Sequence, residues 1–175
     1  MIRRHPTSFF FMMAALVAGG GGCANLAGCD SNSGTAGGDQ QRGNDLDSMS
    51  TTQFSIGETE FQVWIANTNE LREKGLMFVE AEQMQPLDDG TERGMLFIFD
   101  SERTLNFWMK DTIIPLDIAY TRSDGTIVKI HTMTPLDTRF NQYPSGEPAR
   151  YALEVNAGVF AAKGISEGDV IEIPD

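Results

Sequence analysis

From Gln53 to the end of the chain, apolar side chains come in short runs broken by Gly, Pro, Asp and Asn, a spacing that suits strands and leaves little room for long helices. Phe61, Val63 and Ile65 alternate with polar neighbours, apart from Trp64, and predict a strand. Asn67 or Thr68 offers a helix N-cap, with Glu70 completing a capping box if Asn67 is the cap, and Gly75 suits the stop. Residues 68–75 therefore read as a short helix, and Gln85 to Arg93 as a polar, turn-rich loop. Met95 to Phe99 is unbroken in its apolarity, which places a central strand there, covered on both faces. Further strands are expected at Thr104–Met109 and Leu116–Arg122. Asp124-Gly125 signals a hairpin through a tight primed turn, with positive φ at both central residues, leading into Thr126–Met133. Thr134 to Pro148 carries three prolines and reads as a long ordered loop. Tyr151–Val155 returns to strand character, Ala157–Lys163 makes one or two helical turns stopped by Gly164, and Asp169–Ile173 closes the domain as a strand. Six to seven short strands with one or two short helices make a mainly β domain, a β-sandwich or barrel.

The front of the chain has a different character. Arg3 and Arg4 precede an apolar run, Phe9 to Ala18, which is followed by four glycines, the order of a secretory signal peptide. A run of about ten residues is half of the roughly 20 that a spanning helix needs. Leu26-Ala27-Gly28-Cys29 looks like the lipobox of bacterial lipoproteins, with Cys29 as the acylated residue and Cys23, closer to the apolar run, as the competing acceptor. Asp30 to Thr52 is rich in Ser, Gly, Asn, Asp, Gln and Thr, and reads as a flexible tether. The expected organisation is a lipoprotein-type signal peptide over 1–28, lipidated cysteine and tether over 29–52, and one globular domain over 53–175. That predicts an exported, membrane-anchored protein of the bacterial envelope, with its domain in the periplasm or outside the cell.

Two classes of chemistry drop out on composition. No cysteine follows Cys29, so the domain has no disulfide, no thiol nucleophile and no thiolate metal site. The chain carries a formal charge of −12, and cleavage before Cys29 removes Arg3 and Arg4 but no acid, leaving −14. Such a surface repels phosphate backbones, which disfavours nucleic acid as a partner and leaves acyl chains, not a basic patch, to hold the membrane.

The segment Phe107-Trp108-Met109-Lys110-Asp111-Thr112-Ile113-Ile114-Pro115-Leu116-Asp117 is the most distinctive in the chain. With Arg72 and Gly75-Leu76-Met77, then Gly94-Met95-Leu96-Phe97, then Tyr151 to Glu154 with Gly158 and Gly168-Asp169, it resembles the family called domain of unknown function 192, over about residues 55–173. The resemblance implies a mainly β, jelly-roll-like sandwich with a short helix, and no established reaction. The family usually has Asn where this chain has Asp111, so a role needing an amide donor there is in doubt.

Candidate functional residues are few. His131 is the one histidine of the domain, which rules out a multi-histidine metal site and makes a rim histidine its better reading. Met77, Met84, Met95, Met109 and Met133 are thioethers able to hold copper(I), although methionine is also a core filler; Met109, Met133 and His131 are the residual ligand set. Strand alternation turns at least one of Phe107, Trp108 and Met109 outward. An outward Trp108 beside Lys110, Asp111 and Thr112 would be a pocket wall with a polar edge; the alternative is a core Trp108 followed by a hairpin-like turn. Asp117 and Glu154 follow apolar residues in strands, where burial raises a carboxyl pKa, and two such carboxyls suit a glycosidase. Pairing with Arg72, Lys110 or Arg150 is the competing reading. The leading expectation is a non-catalytic, envelope-anchored binding or accessory module without metal or cofactor. Its cleft is lined by Arg72, Trp108, Lys110, Asp111, Asp117 and Glu154, with a small molecule, saccharide or protein as partner. A hydrolase of carbohydrate or cell-wall material and a copper-handling protein are the alternatives.

Overall fold

A computed structural model describes residues 43–139 and 142–173. Cys23, Cys29, the expected signal peptide and most of the expected tether lie outside the described residues. Six strands form one hydrogen-bonded sheet: β1 (Thr51–Ile56), β2 (Thr59–Ala66), β3 (Glu92–Phe107), β4 (Leu116–Thr121), β5 (Ile127–Met133) and β6 (Tyr143–Asn156). Their order is β1-β2-β3-β6-β4-β5, antiparallel except for β2 beside β3. The mainly β expectation holds; the sheet stays open, with β1 and β5 at its edges, and does not close into a barrel. Parallel β2 and β3 need a crossover, and it carries α1 (Asn69–Lys74) together with a 3-10 turn at Ala81–Met84. Among the described residues no helix is long and apolar enough to cross a membrane.

Both faces of the sheet are covered. On one, Phe61 and Val63 of β2, Leu96 of β3, Leu153 and Val155 of β6 and Ala119 of β4 pack with Phe160, Ile165 and Ile171. On the other, Trp64, Met95, Phe97, Ile118, Tyr120 and Ala152 pack under Leu46, Leu76, Val79 and Met84. Both layers follow from period-2 alternation, which sends Val63 to one side and Trp64 to the other. β3 lies next to β6 inside the sheet, which is why Met95 to Phe99 carries apolar side chains at every position.

Several boundaries differ from the sequence reading. The folded domain begins by Asn44, not at Gln53: Leu46 is buried in the core, Asn44 Nδ2 donates to the carbonyls of Leu71 and Gly75, each at 2.9 Å, and Thr51 pairs with Trp64. A single buried leucine in a polar stretch is too little apolar content to register as structure. Thr68, not Asn67, caps α1, accepting from Leu71 N at 3.2 Å, so Glu70 forms no capping box and pairs with Lys74 instead. The strands expected at Met95–Phe99 and Thr104–Met109 are one strand, β3, with register shifts between Ile98 and Arg103. Exposed Asp100 to Thr104 looks like a break in sequence because nothing there is buried. The expected loop Thr134–Pro148 is strand from Tyr143 onward, and Pro144 and Pro148 are tolerated because they sit where β3 and β6 shift register.

The Asp124-Gly125 hairpin forms, though not through a primed turn. Only Gly125 has positive φ, 86°, while Gly125 N donates to Arg122 O and Arg122 N to Thr126 O. This is a three-residue connection with glycine in the left-handed position, accompanied by a register shift at Thr121. α2 (Val159–Lys163) ends at Gly164 as expected. Asp169–Ile173 makes only a bridge, Thr126 to Val170; Ile171 N donates to Gly125 O and Glu172 N to Ser55 O, so the segment is shared between two neighbours.

Candidate ligand pocket

Register places Trp64, Met95, Glu154, Ile118 and His131 in one row across five strands, all on the face that α1 covers. Glu154, in the middle, is flanked by two fully buried apolar side chains and is itself 4% exposed. Among the described residues no hydrogen bond or ion pair reaches its carboxyl. Burial alone pushes its pKa from 4.5 up to about 8, so the group is protonated at neutral pH. Above it opens a pocket of about 270 Å³, walled by α1 and the turn after it on one side and by β3 and the loop following β3 on the other.

The walls are aromatic and the mouth is cationic. Phe107 packs edge-on against Phe97, with centroids 4.8 Å apart, and against Tyr120 at 5.7 Å. Met109 is wholly buried, so alternation turns the residue between them, Trp108, outward, where it is 47% exposed. Lys110 Nζ stands 5.5 Å from the Trp108 ring centroid, and the guanidinium of Arg103 lies 4.7 Å from that of Phe99. Neither cation has a carboxylate partner among the described residues. Arg72, also over Phe99 at 5.0 Å, is committed: it donates to Ile98 O at 2.6 Å, Asn67 O at 2.9 Å and Asn69 Oδ1 at 2.6 Å. It ties α1 to β3 and fixes the width of the pocket.

Of the six residues expected at the cleft, Arg72, Trp108, Lys110 and Glu154 line this pocket, and Asp111 and Asp117 do not. Asp111 takes a left-handed φ of 55° and its carbonyl accepts from Phe78 N at 2.8 Å. Asn and Asp are the side-chain-bearing residues that adopt this conformation most readily, so Asp in place of the family's Asn preserves the backbone role and no amide donor is needed. Asp117 pairs across with Val155, one residue from Glu154, and therefore points to the opposite face. There it accepts from Thr132 Oγ1 at 2.7 Å and from Gly158 N at 2.8 Å. The two carboxyls of the hydrolase reading are thus separated by the sheet. Neither is paired with Arg72, Lys110 or Arg150, the structural partners considered; Arg150 reaches Phe99 O and the Tyr151 ring.

The copper set is not assembled at an opening either. Met109 and Met133 are enclosed in the core, and His131 Nε2 lies 2.8 Å from Pro144 O. Thr112, expected at the polar edge beside Trp108, lines the pocket, and so do Arg103 and Asn106, which were not anticipated. Arg103 sits at the register shift of β3, where sequence alternation is interrupted and side-chain direction is unreadable. Two wider hollows, about 690 and 630 Å³, border the Gly164–Ile173 segment, and neither holds a buried ionisable group without a partner.

The family model described as Uncharacterized ACR, domain of unknown function 192, matches residues 52–173. No curated protein matches the chain. Among solved structures, the chain is similar to a Sinorhizobium meliloti 1021 protein named as a candidate transcription regulator, 35% identical with a TM-score of 0.62 over 71% of this chain and 95% of that one. It is also similar to a protein of unknown function from Novosphingobium aromaticivorans DSM 12444, 28% identical with a TM-score of 0.63 over 75% of this chain and 91% of that one. By fold, by the order of its motifs and by a match spanning almost the whole described domain, the chain belongs to the domain of unknown function 192 family.

Proposed function

We propose that this protein is an exported, lipid-anchored binding module whose domain holds a small ligand in the Glu154 pocket. One observation carries the reading: a carboxyl enclosed among apolar side chains, with no partner among the described residues, at the floor of an open, aromatic-walled pocket. An unpaired buried acid costs stability, and such groups concentrate where a ligand supplies the missing partner. In its protonated form Glu154 both donates and accepts, which matches a hydroxyl or carbonyl. Arg103 and Lys110 at the mouth match an anionic group on the same ligand. Aromatic walls between the two suit a flat or apolar body. Regulation of transcription, as in the name of the Sinorhizobium meliloti relative, is not favoured here, because a chain of formal charge −12 repels DNA. Export and anchoring rest on the leader and on Cys29.

The test is a thermal-shift screen of a Cys29→Ser chain lacking its leader against sugars, cell-wall fragments and small aromatic or aliphatic acids. A ligand that raises Tm for the wild-type domain but not for Trp108→Ala or Glu154→Gln supports the pocket. Ligands that shift all three alike place binding elsewhere and overturn it. Labelling by a palmitate analogue that survives Cys29→Ala moves the anchor to Cys23; labelling that survives loss of both cysteines removes it.

A further inference from the structure

Phe78, Trp108, Ile113, Leu136 and Val170 are the large apolar side chains left exposed among the described residues, each between 43% and 58%. Four of these five lie on three loops that are laced together by backbone hydrogen bonds. Phe78 N donates to Asp111 O at 2.8 Å, Leu136 N to Thr112 O at 2.9 Å, and Met109 N to Asp137 O at 2.9 Å. The same loops hold all three non-glycine residues with positive φ among the described residues: Phe78 at 61°, Asp111 at 55° and Leu136 at 59°. Left-handed backbone is disfavoured for bulky side chains such as Phe and Leu, and it persists where surrounding structure enforces it, most often at functional sites. Two of the three, Phe78 and Leu136, present their apolar side chains to solvent. Exposure of single apolar residues needs no cause, but their concentration on one laced surface does.

We infer that the Phe78–Trp108–Ile113–Leu136 surface seats on the interface of the lipid bilayer that carries the anchor. Entry of the chain into the fold selects the bilayer over a protein partner. Gly43 lies so close to the turn after α1 that a Cβ there would collide with Met77 O and reach within 3.8 Å of Phe78 Cδ2. The segment arriving from Cys29 therefore joins the domain beside Phe78. Fourteen residues lead from Cys29 to Gly43; a coil of that length would reach roughly 20 Å r.m.s., against roughly 35 Å across a domain of this size. The side of the domain that carries Phe78 is then the side held at the membrane. Its chemistry fits: a tryptophan, three further apolar tips and the Lys110 ammonium are residues that partition to the headgroup boundary. Insertion is apolar, so it needs no anionic lipid, in keeping with the negative charge of the rest of the chain. Seating this surface brings the Glu154 pocket, which is lined by Trp108 of that surface and by Lys110 beside it, toward the bilayer.

The inference rests on the anchor reading, and the experiment separates the two. No thiol follows Cys29, so Leu136→Cys and Val170→Cys each accept one environment-sensitive fluorophore on the full lipidated chain, reconstituted in phosphatidylcholine vesicles. Flotation with the vesicles reports the anchor; quenching by spin-labelled lipid reports the seating. The expected result is flotation of both, with a blue shift and quenching at position 136 and neither at 170, and with the effect at 136 lost when Phe78→Ser and Ile113→Ser are added. Flotation with no quenching at 136, or equal quenching at both positions, overturns the seating and leaves the anchor standing. Failure to float overturns both. Quenching at 136 that appears only with another envelope protein in the vesicle assigns the surface to a protein partner and overturns the lipid inference.

Discussion

Asp117 and Glu154 are nearly matched in sequence terms, since each is an acidic residue among apolar neighbours in an inner strand, and they are 2% and 4% exposed. They differ in the face they occupy. Asp117, on the closed face, has one oxygen on Thr132 Oγ1 and the other on Gly158 N, and it fastens β5 and the start of α2 to β4. Glu154, on the face that α1 covers, has no such partners and lies under a pocket. A satisfied buried carboxylate stabilises; an unsatisfied one is tolerated at a cost. The pair shows that burial alone does not mark a functional acid, whereas burial without a partner beside an opening does.

The comparison breaks if the two residues respond alike. Asp117→Ala should give the largest loss, about 3 kcal/mol, because it orphans a hydroxyl and a backbone N–H as well as removing the charge-assisted bonds; chemical denaturation at neutral pH measures it. Leu46→Ala should lose about 2.5 kcal/mol by opening a cavity in the pocket-side layer. A loss below about 0.5 kcal/mol would mean that the segment before β1 is dispensable.

Glu154→Gln should have the opposite sign, a gain of up to about 3 kcal/mol at pH 7, reduced by the cost of burying its amide. The folded pKa, about 8, lies above the value of 4.5 for the free side chain. The folded state therefore holds the proton more tightly, and wild-type stability is greatest below pH 4.5 and is lost as pH rises toward 8. Thermal melts of both proteins across that range should diverge as pH rises and converge in acid; parallel curves would show that Glu154 has a partner. The smallest effects belong to the exposed rim. Trp108→Ala and Lys110→Ala should each change stability by less than about 0.5 kcal/mol, so that any loss of a ligand-induced Tm shift in them reports binding and not folding.

Much of the architecture was legible because alternation and turn chemistry act locally. β2, β4, the hairpin at Gly125, α1 with its Gly75 stop and the outward Trp108 all follow from side-chain period and backbone preference within a few residues. The misreadings share one cause. Exposed Asp100–Thr104 split β3 in two, the prolines of Tyr143–Pro148 hid the first half of β6, and Leu46 alone did not reveal the strap before β1. In each case a distant partner supplies the hydrogen bonds or the burial that local sequence does not advertise. Gly94 is an example at atomic scale: a Cβ there would collide with the carbonyl of Glu154, a constraint that exists only once β3 lies beside β6.

By itself the sequence determined a mainly β, thiol-free, strongly acidic domain of this family, and it supplied Arg72, Trp108, Lys110 and Glu154 as residues worth bringing together. Only the tertiary structure decided that Asp117 and Glu154 face opposite ways, that Arg103 joins the pocket lining, and that the loops carrying four exposed apolar side chains are bonded to one another. The physical reason is register: alternation fixes which residues of a strand share a face, but pairing with other strands fixes which face that is and what lies across from it.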